Sequence, residues 1–285
     1  MIWSVTSKDE YEHYGITPVF KFYQEALGKE NVKLAIIEED DGLDFVLEDD
    51  VVLLRTASEP IIDTIRQKGI RSTAERFSLY ERVRDKKTLA EFLASQGVVV
   101  PRQYSLSEVE DGKAYFVKPR FGSDSFGISQ NSICHTKEQV AKQVSLLDAE
   151  FGKDVVIEDY IEGVDCTVSC ITNGDEPLVA AMKVENDERG GIQTRKCKVE
   201  YDEYCSALTN ASLKGAALNI FTLLGVESHA RIDFRQNAEG QHYMIDVNLM
   251  PGLGPIDHLA KSFLLCKNMS YIDTLIAIVG TAKQK

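Results

Sequence analysis

Two alternating segments near the end of the chain carry an unusual set of polar groups. In HARIDF, Arg231 and Asp233 share one face, while Ala230, Ile232 and Phe234 form the other. In YMIDVNLMPG, Asp246 and Asn248 alternate with Tyr243, Ile245, Val247 and Leu249, and Gly252 closes the segment. The intervening RQNAEGQH is turn-like, and a two-residue turn at Glu239-Gly240 sets Asp233 opposite Asp246 and Arg231 opposite Asn248. A register shift by two keeps all four groups on one face, because strand side chains alternate with period two. Facing carboxylates cost a few tenths to about 1 kcal/mol even when exposed, and more when dry, so a cation belongs there. Two carboxylates and an amide oxygen are hard donors that suit Mg²⁺ carrying phosphates. From the hairpin alone, a surface ladder satisfied by water and lysines is the alternative.

Two further segments could handle a nucleotide. In FVKPRFGSDSFG, Lys118 leaves a strand just before Gly122, Ser123, Ser125 and Gly127. Glycines let a backbone approach phosphate closely, serine hydroxyls and N–H groups can cradle it, and a strand-end lysine supplies charge. Neither GxxxxGK[ST] nor GxGxxG is present, so this is neither a P-loop nor a Rossmann turn, and a plain Gly/Ser turn is the competing reading. In IEDYIEGVD, an extended link offers backbone groups to a base edge; Glu158 could accept from an exocyclic amine and Asp165 from ribose hydroxyls. The competing reading is an acidic interdomain loop.

The order of these groups resembles the ATP-grasp superfamily: Lys86 in RDKKT, Lys118 in VKPRFGSDSFG, Glu158-Asp159-Tyr160-Ile161 with Gly163 and Asp165, Arg231-x-Asp233, then Asp246-x-Asn248-x-x-Pro-Gly. It is similar to the D-alanine–D-alanine-ligase-like and carbamoyl-phosphate-synthetase-like branches of its carboxylate–amine ligases, from roughly Arg84 to the C-terminus. The resemblance implies an α/β and α+β protein, an ATP-grasp fold behind a small N-terminal parallel α/β domain. The corresponding boundaries are 1–83 for that domain, 84–160 for the central subdomain and 161–285 for the C-terminal one. It implies that Lys86 and Lys118 hold ATP phosphates under the 122–127 loop. Glu158, Asp159 and the Tyr160–Ile161 backbone would take adenine, and Asp165 ribose. Asp233, Asp246 and Asn248 would hold Mg²⁺ or Mn²⁺, and Arg231 with the Gly252 N–H would stabilise an oxyanion. The implied reaction activates a carboxylate as an acyl-phosphate, which an amine attacks, releasing ADP and phosphate.

The chain departs from that pattern in places. D-alanine-adding ligases carry small hydroxyl residues shortly after the Pro-Gly, whereas this chain has Leu253-Gly254-Pro255-Ile256-Asp257-His258. Asp257 would repel a carboxylate, which argues against D-alanyl-D-alanine as product and for an amine-bearing or cationic acceptor. The early Gly-rich, His/Glu-bearing loop of those ligases is also missing. Arg189–Arg195 is similar to a substrate-side loop of the carbamoyl-phosphate-synthetase-like members, so Arg195 is a candidate for phosphate or carboxylate; an exposed loop arginine is the commoner case. His229, His242 and His258 are expected at edges or on the surface. Phosphorylation of a small molecule, activation of bicarbonate, or nucleotide binding without turnover are the rival readings. The complete set of Lys118, Asp233, Asp246 and Asn248 argues against the last.

Elements to position these groups are legible along the chain. VKLAIIEE and DVVLLRT read as buried strands, with TPVFKFYQEALG and SEPIIDTIRQKG as helices, the latter with Ser58 as N-cap; this βα rhythm indicates a parallel α/β unit. RDKKTLAEFLASQG is a helix capped by Asp85, and VVVPRQYSL a strand. A helix beginning at Thr136 has a Thr-x-x-Gln box and turns Val140, Val144, Leu147 and Phe151 to one face. ASLKGAALNIFTLLG and SYIDTLIAIV are apolar helices.

Composition bounds the rest. The 285 residues are 44% hydrophobic and 27% charged, enough for two or three modest domains with real cores. A net charge of −13 excludes nucleic acid as the main partner, because phosphate backbones need excess Lys and Arg. No run reaches the roughly 18–20 apolar residues of a membrane span, and MIWSVTSKDEYE lacks a secretory start. The expectation is a cytoplasmic protein without membrane partners, acting on a small-molecule carboxylate and amine, with room for a homodimer. The six cysteines lack zinc-type spacing, and Cys166 and Cys170 are expected as buried small hydrophobes beside Val168.

Overall fold

A computed structural model describes the chain except residues 15–16, 39–40, 123–124, 153, 187–190, 195–202 and 285, and the side chains of 13, 14, 17, 18 and 284. The expected sites Ser123 and Arg195 fall outside the described residues.

The β-branched runs of the first third pair in parallel. Strands β1 (Ile2–Ser7), β2 (Val32–Ile37), β3 (Val51–Leu54) and β4 (Arg71–Ser72) make a sheet with β1 central between β2 and β3. All four residues of β3 are buried, as a parallel strand covered on both faces requires. Helices α1 (Lys8–Tyr14), α2 (Thr17–Leu27) and α3 (Glu59–Gln67) connect them, and α3 turns Ile61, Ile62 and Ile65 inward. Ser58 stands at the cap position of α3 in extended conformation, but its hydroxyl makes no cap hydrogen bond. The end of the chain returns here: β14 (Lys283–Gln284) pairs antiparallel with β4.

Helices α4 (Phe77–Arg84) and α5 (Lys86–Ser95) lead into a four-stranded antiparallel sheet of β5 (Gln103–Tyr104), β6 (Tyr115–Pro119), β7 (Ile133–Cys134) and β8 (Val155–Asp159), in the order β5-β8-β6-β7. The strand expected over VVVPRQYSL shortens to Gln103–Tyr104, since Pro101 cannot donate to a ladder. Helix α6 (Lys137–Phe151) covers this sheet, and Thr136 Oγ1 accepts from the Gln139 N–H. Gln139 reaches back one residue further than a standard box, to the His135 N–H at 2.7 Å. Val140 and Leu147 enter a separate core with Tyr115, Val117 and Ile157. Phe151, expected on that face, is 40% exposed and meets Phe126 edge-on instead.

The last third forms a five-stranded antiparallel sheet, β11 (Tyr204–Leu208), β10 (Leu178–Glu185), β9 (Val164–Ile171), β12 (His229–Gln236) and β13 (His242–Asn248), in that spatial order. Helices α7 (Ala211–Leu224), α8 (His258–Lys267) and α9 (Tyr271–Gly280) complete it. Cys166, Val168 and Cys170 are fully buried as expected, and they share one apolar cluster with Val52 and Ile61 of the first unit. The first and last units are thus fused by a common core, while the central sheet packs on its own. The cleft opens between them. His229 departs from its expected edge placement: it is buried, and its Nδ1 shares a hydrogen bond with the Ser228 hydroxyl at 2.9 Å.

Candidate active site

The hairpin of β12 and β13 reaches the expected register by a different route. Arg231 pairs with Asn248 and Asp233 with Asp246, but below them Phe234 pairs with Met244, leaving Ile245 bulged out. The loop is Ala238-Glu239-Gly240, three residues: Gly240 donates to Asn237, has φ +81°, and Asn237 N–H meets Gln241 C=O. A type I turn closed by a left-handed glycine is the standard three-residue hairpin. One extra loop residue and one bulged residue cancel. The bulge also corrects the expected apolar face: Met244, Val247 and Leu249 are buried, while Tyr243 and Ile245 are not.

The four polar groups meet in one cleft. Arg231 binds the Asp233 carboxylate with Nε and Nη2, at 3.0 and 2.8 Å, and Thr167 Oγ1 donates to Asp233 at 2.9 Å. Burial works to raise the Asp233 carboxyl, but the Arg231 charge and hydrogen bond outweigh it and hold the group below its ordinary range. The Asn248 side-chain oxygen accepts from the Met250 N–H at 2.8 Å. Asp246 lines the cleft and makes no hydrogen bond or ion pair among the described residues. A bare carboxylate opposite a paired one is a donor set that fits a hard divalent cation.

Lys118 projects from β6 to the bulge. Its ammonium lies 2.6 Å from Glu158 Oε1 and 3.3 Å from the Ile245 carbonyl, and both charged side chains are 6% exposed. Burial pushes the Glu158 carboxyl up, and the Lys118 charge draws it part of the way back. Two of the three ammonium donors are engaged, which leaves one for a ligand oxygen. Lys86, first residue of α5, donates to the Gly122 carbonyl. Asp85 caps α5 through the Lys87 and Thr88 N–H groups and takes a bidentate contact from Arg120 at 2.7 and 2.6 Å. Arg120 holds its carboxyl far below the usual range. This pair, absent from the sequence reading, fixes the start of α5 to the end of β6. In the loop above, Ser125 adopts φ +57°, and a Cβ on Gly127 would sit 2.7 Å from Pro119 Cγ, so only glycine fits there.

The link between β8 and β9 is organised by Arg235, a second residue the sequence reading missed. Its Nη1 binds Asp165 Oδ1 at 2.7 Å and the Gly191 carbonyl at 3.0 Å; its Nε binds the Ile161 carbonyl at 2.9 Å. Asp165, expected at ribose, is therefore half of a buried ion pair. Arg235 continues the Arg231, Asp233 alternation on β12, the signal that could have found it. Tyr160 stacks on Phe116, and its N–H donates to the Ala114 carbonyl, so of the Tyr160–Ile161 pair expected at the base the Tyr160 N–H is already engaged. Asp159 points its carboxylate to the Tyr104 hydroxyl and Lys113, at 2.8 and 2.6 Å.

At the other end, Asp257 folds over the Pro-Gly loop. Its Oδ2 accepts from the Gly254 N–H at 2.6 Å, and a Cβ on Gly252 would lie 2.5 Å from it. His258 is not on the surface as expected; its Nε2 is hydrogen-bonded to Glu203, and both line the cleft. The cleft has a volume of about 710 Å³ and runs from Phe116, Lys118 and Glu158 past Asp233, Asp246 and Asn248 to Gly252 and Asp257. That suits a bound small molecule. Its base end is walled by Phe116, Phe126 and Ile128, apolar surfaces that fit a planar ring.

The family model described as D-ala D-ala ligase C-terminus matches residues 102–279. The D-alanine–D-alanine ligase A of Bacillus cereus is 24% identical over 273 residues, covering 88% of this chain and 85% of that protein. The uncharacterized protein y4sG of Sinorhizobium fredii is 25% identical over 146 residues, 48% of this chain but 43% of that protein. With several D-alanine–D-alanine ligases, too, the matched stretch spans about half the length of the relative. The crystal structure of the D-alanine–D-alanine ligase from Bacillus anthracis complexed with ATP superposes with a TM-score of 0.73 at 19% identity, covering 98% of this chain and 96% of that one.

Proposed function

The chain belongs to the family of the D-ala D-ala ligase C-terminus, among the ATP-grasp carboxylate–amine ligases, and from that premise we propose an ADP-forming ligase that joins a carboxylate to an amine through an acyl-phosphate. The observation that carries this reading is Asp246, without a protein partner among the described residues, opposite Asp233 in the cleft that also holds Lys118.

In this reading Lys118 and Lys86 take phosphate oxygens, and the 122–127 segment covers them. Asp246, Asp233 and Asn248 hold Mg²⁺ or Mn²⁺, which when bound neutralises charge on the transferring phosphoryl group. Glu158 and the Ile161 N–H receive the base, with Arg235 keeping the link in place; Asp165 reaches ribose hydroxyls through its second oxygen. Arg231 and the Gly252 N–H stand where negative charge develops on the reacting acyl group, stabilised by donors that need no reorganisation. Residues 1–83, 84–160 and 161–285 act as the three units of the grasp, with the last two residues described, Lys283 and Gln284, stapled to the first sheet. No single helix among the described residues is long and apolar enough to cross a membrane, and the acidic chain disfavours nucleic acid. The proposed partners are small molecules, and the proposed compartment is the cytoplasm.

The test is nucleotide product analysis while pools of acids and amines are added, with mass detection of the condensation product. Amine-dependent ADP and phosphate are expected. AMP release contradicts the mechanism, and ADP with no amide product replaces the ligase by a kinase.

A further inference from the structure

Glu203, Cys205 and His258 bring a carboxylate, a thiol and an imidazole to one point beside the cleft, and one ligand atom from each lies within 4.8 Å of the other two. Glu203 and Cys205 flank the exposed Tyr204 at the start of β11, so strand alternation turns both inward. His258 is the first residue of α8, and its Nε2 is hydrogen-bonded to Glu203 Oε1. The side chains of that pair are only 11% and 6% exposed. Burial pushes the Cys205 thiol up, while the ammonium of Lys261, the next turn of α8, favours the thiolate.

This donor set is unlike that of the hairpin. Asp233, Asp246 and Asn248 offer only oxygen and suit a hard cation, whereas a thiolate and an imidazole select Zn²⁺ over Mg²⁺. Tetrahedral ligands about 2.0–2.3 Å from Zn²⁺ stand roughly 3.3–3.7 Å from one another, so small side-chain rotations close the set. Glu203 and His258 both line the cleft, and three protein ligands leave a fourth position open on that side. We propose that Glu203, Cys205 and His258 form a second cation site, for Zn²⁺ or a cation of similar softness, with its open position toward the cleft. A metal there ties β11 to the start of α8, directly after Asp257, whose carboxylate covers the Pro-Gly loop. The His258 charge acts on Asp233, so the cluster borders the hairpin without sharing its ligands. The donors and their spacing are the same whatever reaction the cleft performs.

The test is titration of the full chain, stripped with a chelator, with Co²⁺ and then Zn²⁺ in excess Mg²⁺, which keeps the hairpin supplied. Tetrahedral Co²⁺ bound to a thiolate gives strong visible absorption and a sulfur-to-metal charge-transfer band in the near ultraviolet. Wild type should show both at about one equivalent, and Zn²⁺, which has no geometric preference to overcome, should displace the Co²⁺. Cys205→Ser should lose the charge-transfer band. Cys205 does not line the cleft, so Mg²⁺-dependent ATP binding should persist in this variant and show that it is folded. Losing a group that merely supports a ligand already costs about 10–100-fold in metal affinity. Glu203→Gln and His258→Gln, which keep the thiol, should therefore each weaken Zn²⁺ binding at least about tenfold. A wild type without the band, a band that Cys205→Ser retains, or Zn²⁺ affinity unchanged in both glutamine variants overturns the site. None of these readouts requires turnover, so the site and the ligase reading stand or fall separately.

Discussion

The Lys118 ammonium lies 3.3 Å from the carbonyl of Ile245, the residue of β13 that has no partner on β12. The bulge thus turns a backbone acceptor toward the central sheet and joins the two walls of the cleft through one lysine. Glu158 completes the arrangement at 2.6 Å. Replacing Lys118 by Met leaves Glu158 buried and unpaired, and the loss expected in urea unfolding is about 3–5 kcal/mol. Adding Glu158→Gln should recover most of it. Equal stability of the single and double variants would refute the coupling.

Deleting Ile245 separates the two consequences of the bulge. Phe234 already pairs with Met244, so the shortened strand carries Asp246 directly to Asp233 with Val247 still inward. The fold should survive, with a melting temperature within a few degrees. ATP affinity should fall about tenfold, because Lys118 loses an anchor worth roughly 1.5 kcal/mol. Unchanged ATP affinity would show that the anchor is dispensable.

Arg231 has two tasks, since it neutralises Asp233 and faces the Gly252 loop. Removing one oxyanion donor typically costs roughly 3–4 kcal/mol, so Arg231→Ala should lower kcat about 100–1000-fold. Steady-state kinetics on the substrates found by the pool screen provides the check. Full turnover in the variant would remove the proposed role.

His229 gives the protein an acid-side weakness unrelated to the site. Burial lowers the imidazole to about 3 from an ordinary 6.5, so the folded protein holds it neutral. Its stabilising share is complete above pH 6.5 and drains away as the pH falls toward 3. Between pH 7 and pH 5 the expected loss is about 2 kcal/mol, and His229→Gln should flatten that slope. Urea midpoints at the two pH values measure it. Parallel slopes in wild type and variant would contradict it.

Much of this was legible in the sequence where period and chemistry agree. Strands with unbroken β-branched runs, such as Val51–Leu54, and helices with paired cap and stop signals, such as Lys86–Ser95, announce themselves through local rules. The meeting of Asp233 with Asp246 was legible too, although by offsetting errors: sequence shows neither that Gly240 closes a three-residue loop nor that Ile245 is extruded. Arg235 and Arg55 escaped because their roles depend on distant partners. Arg235 meets Asp165 and Ile161 across the sheet, and Arg55 meets Pro251 from a unit 196 residues earlier in the chain. A separation of 55 residues likewise hid the Glu203–His258 pair. His229 is buried although it shares the polar face of β12 with Arg231 and Asp233; it sits at the start of the strand in a hydrogen-bonded group with Ser228 and Thr281, which a lone histidine in sequence does not reveal.

The most direct measurement is ATP binding with and without Mg²⁺ in wild type and in Asp246→Asn, whose shape is unchanged. Asp246 makes no bond to the protein among the described residues, so the variant should fold as wild type does. Mg²⁺ should tighten ATP binding to wild type at least about tenfold, and this gain should vanish in Asp246→Asn. The same Mg²⁺-dependent gain in both proteins would contradict a metal and phosphate site on this hairpin.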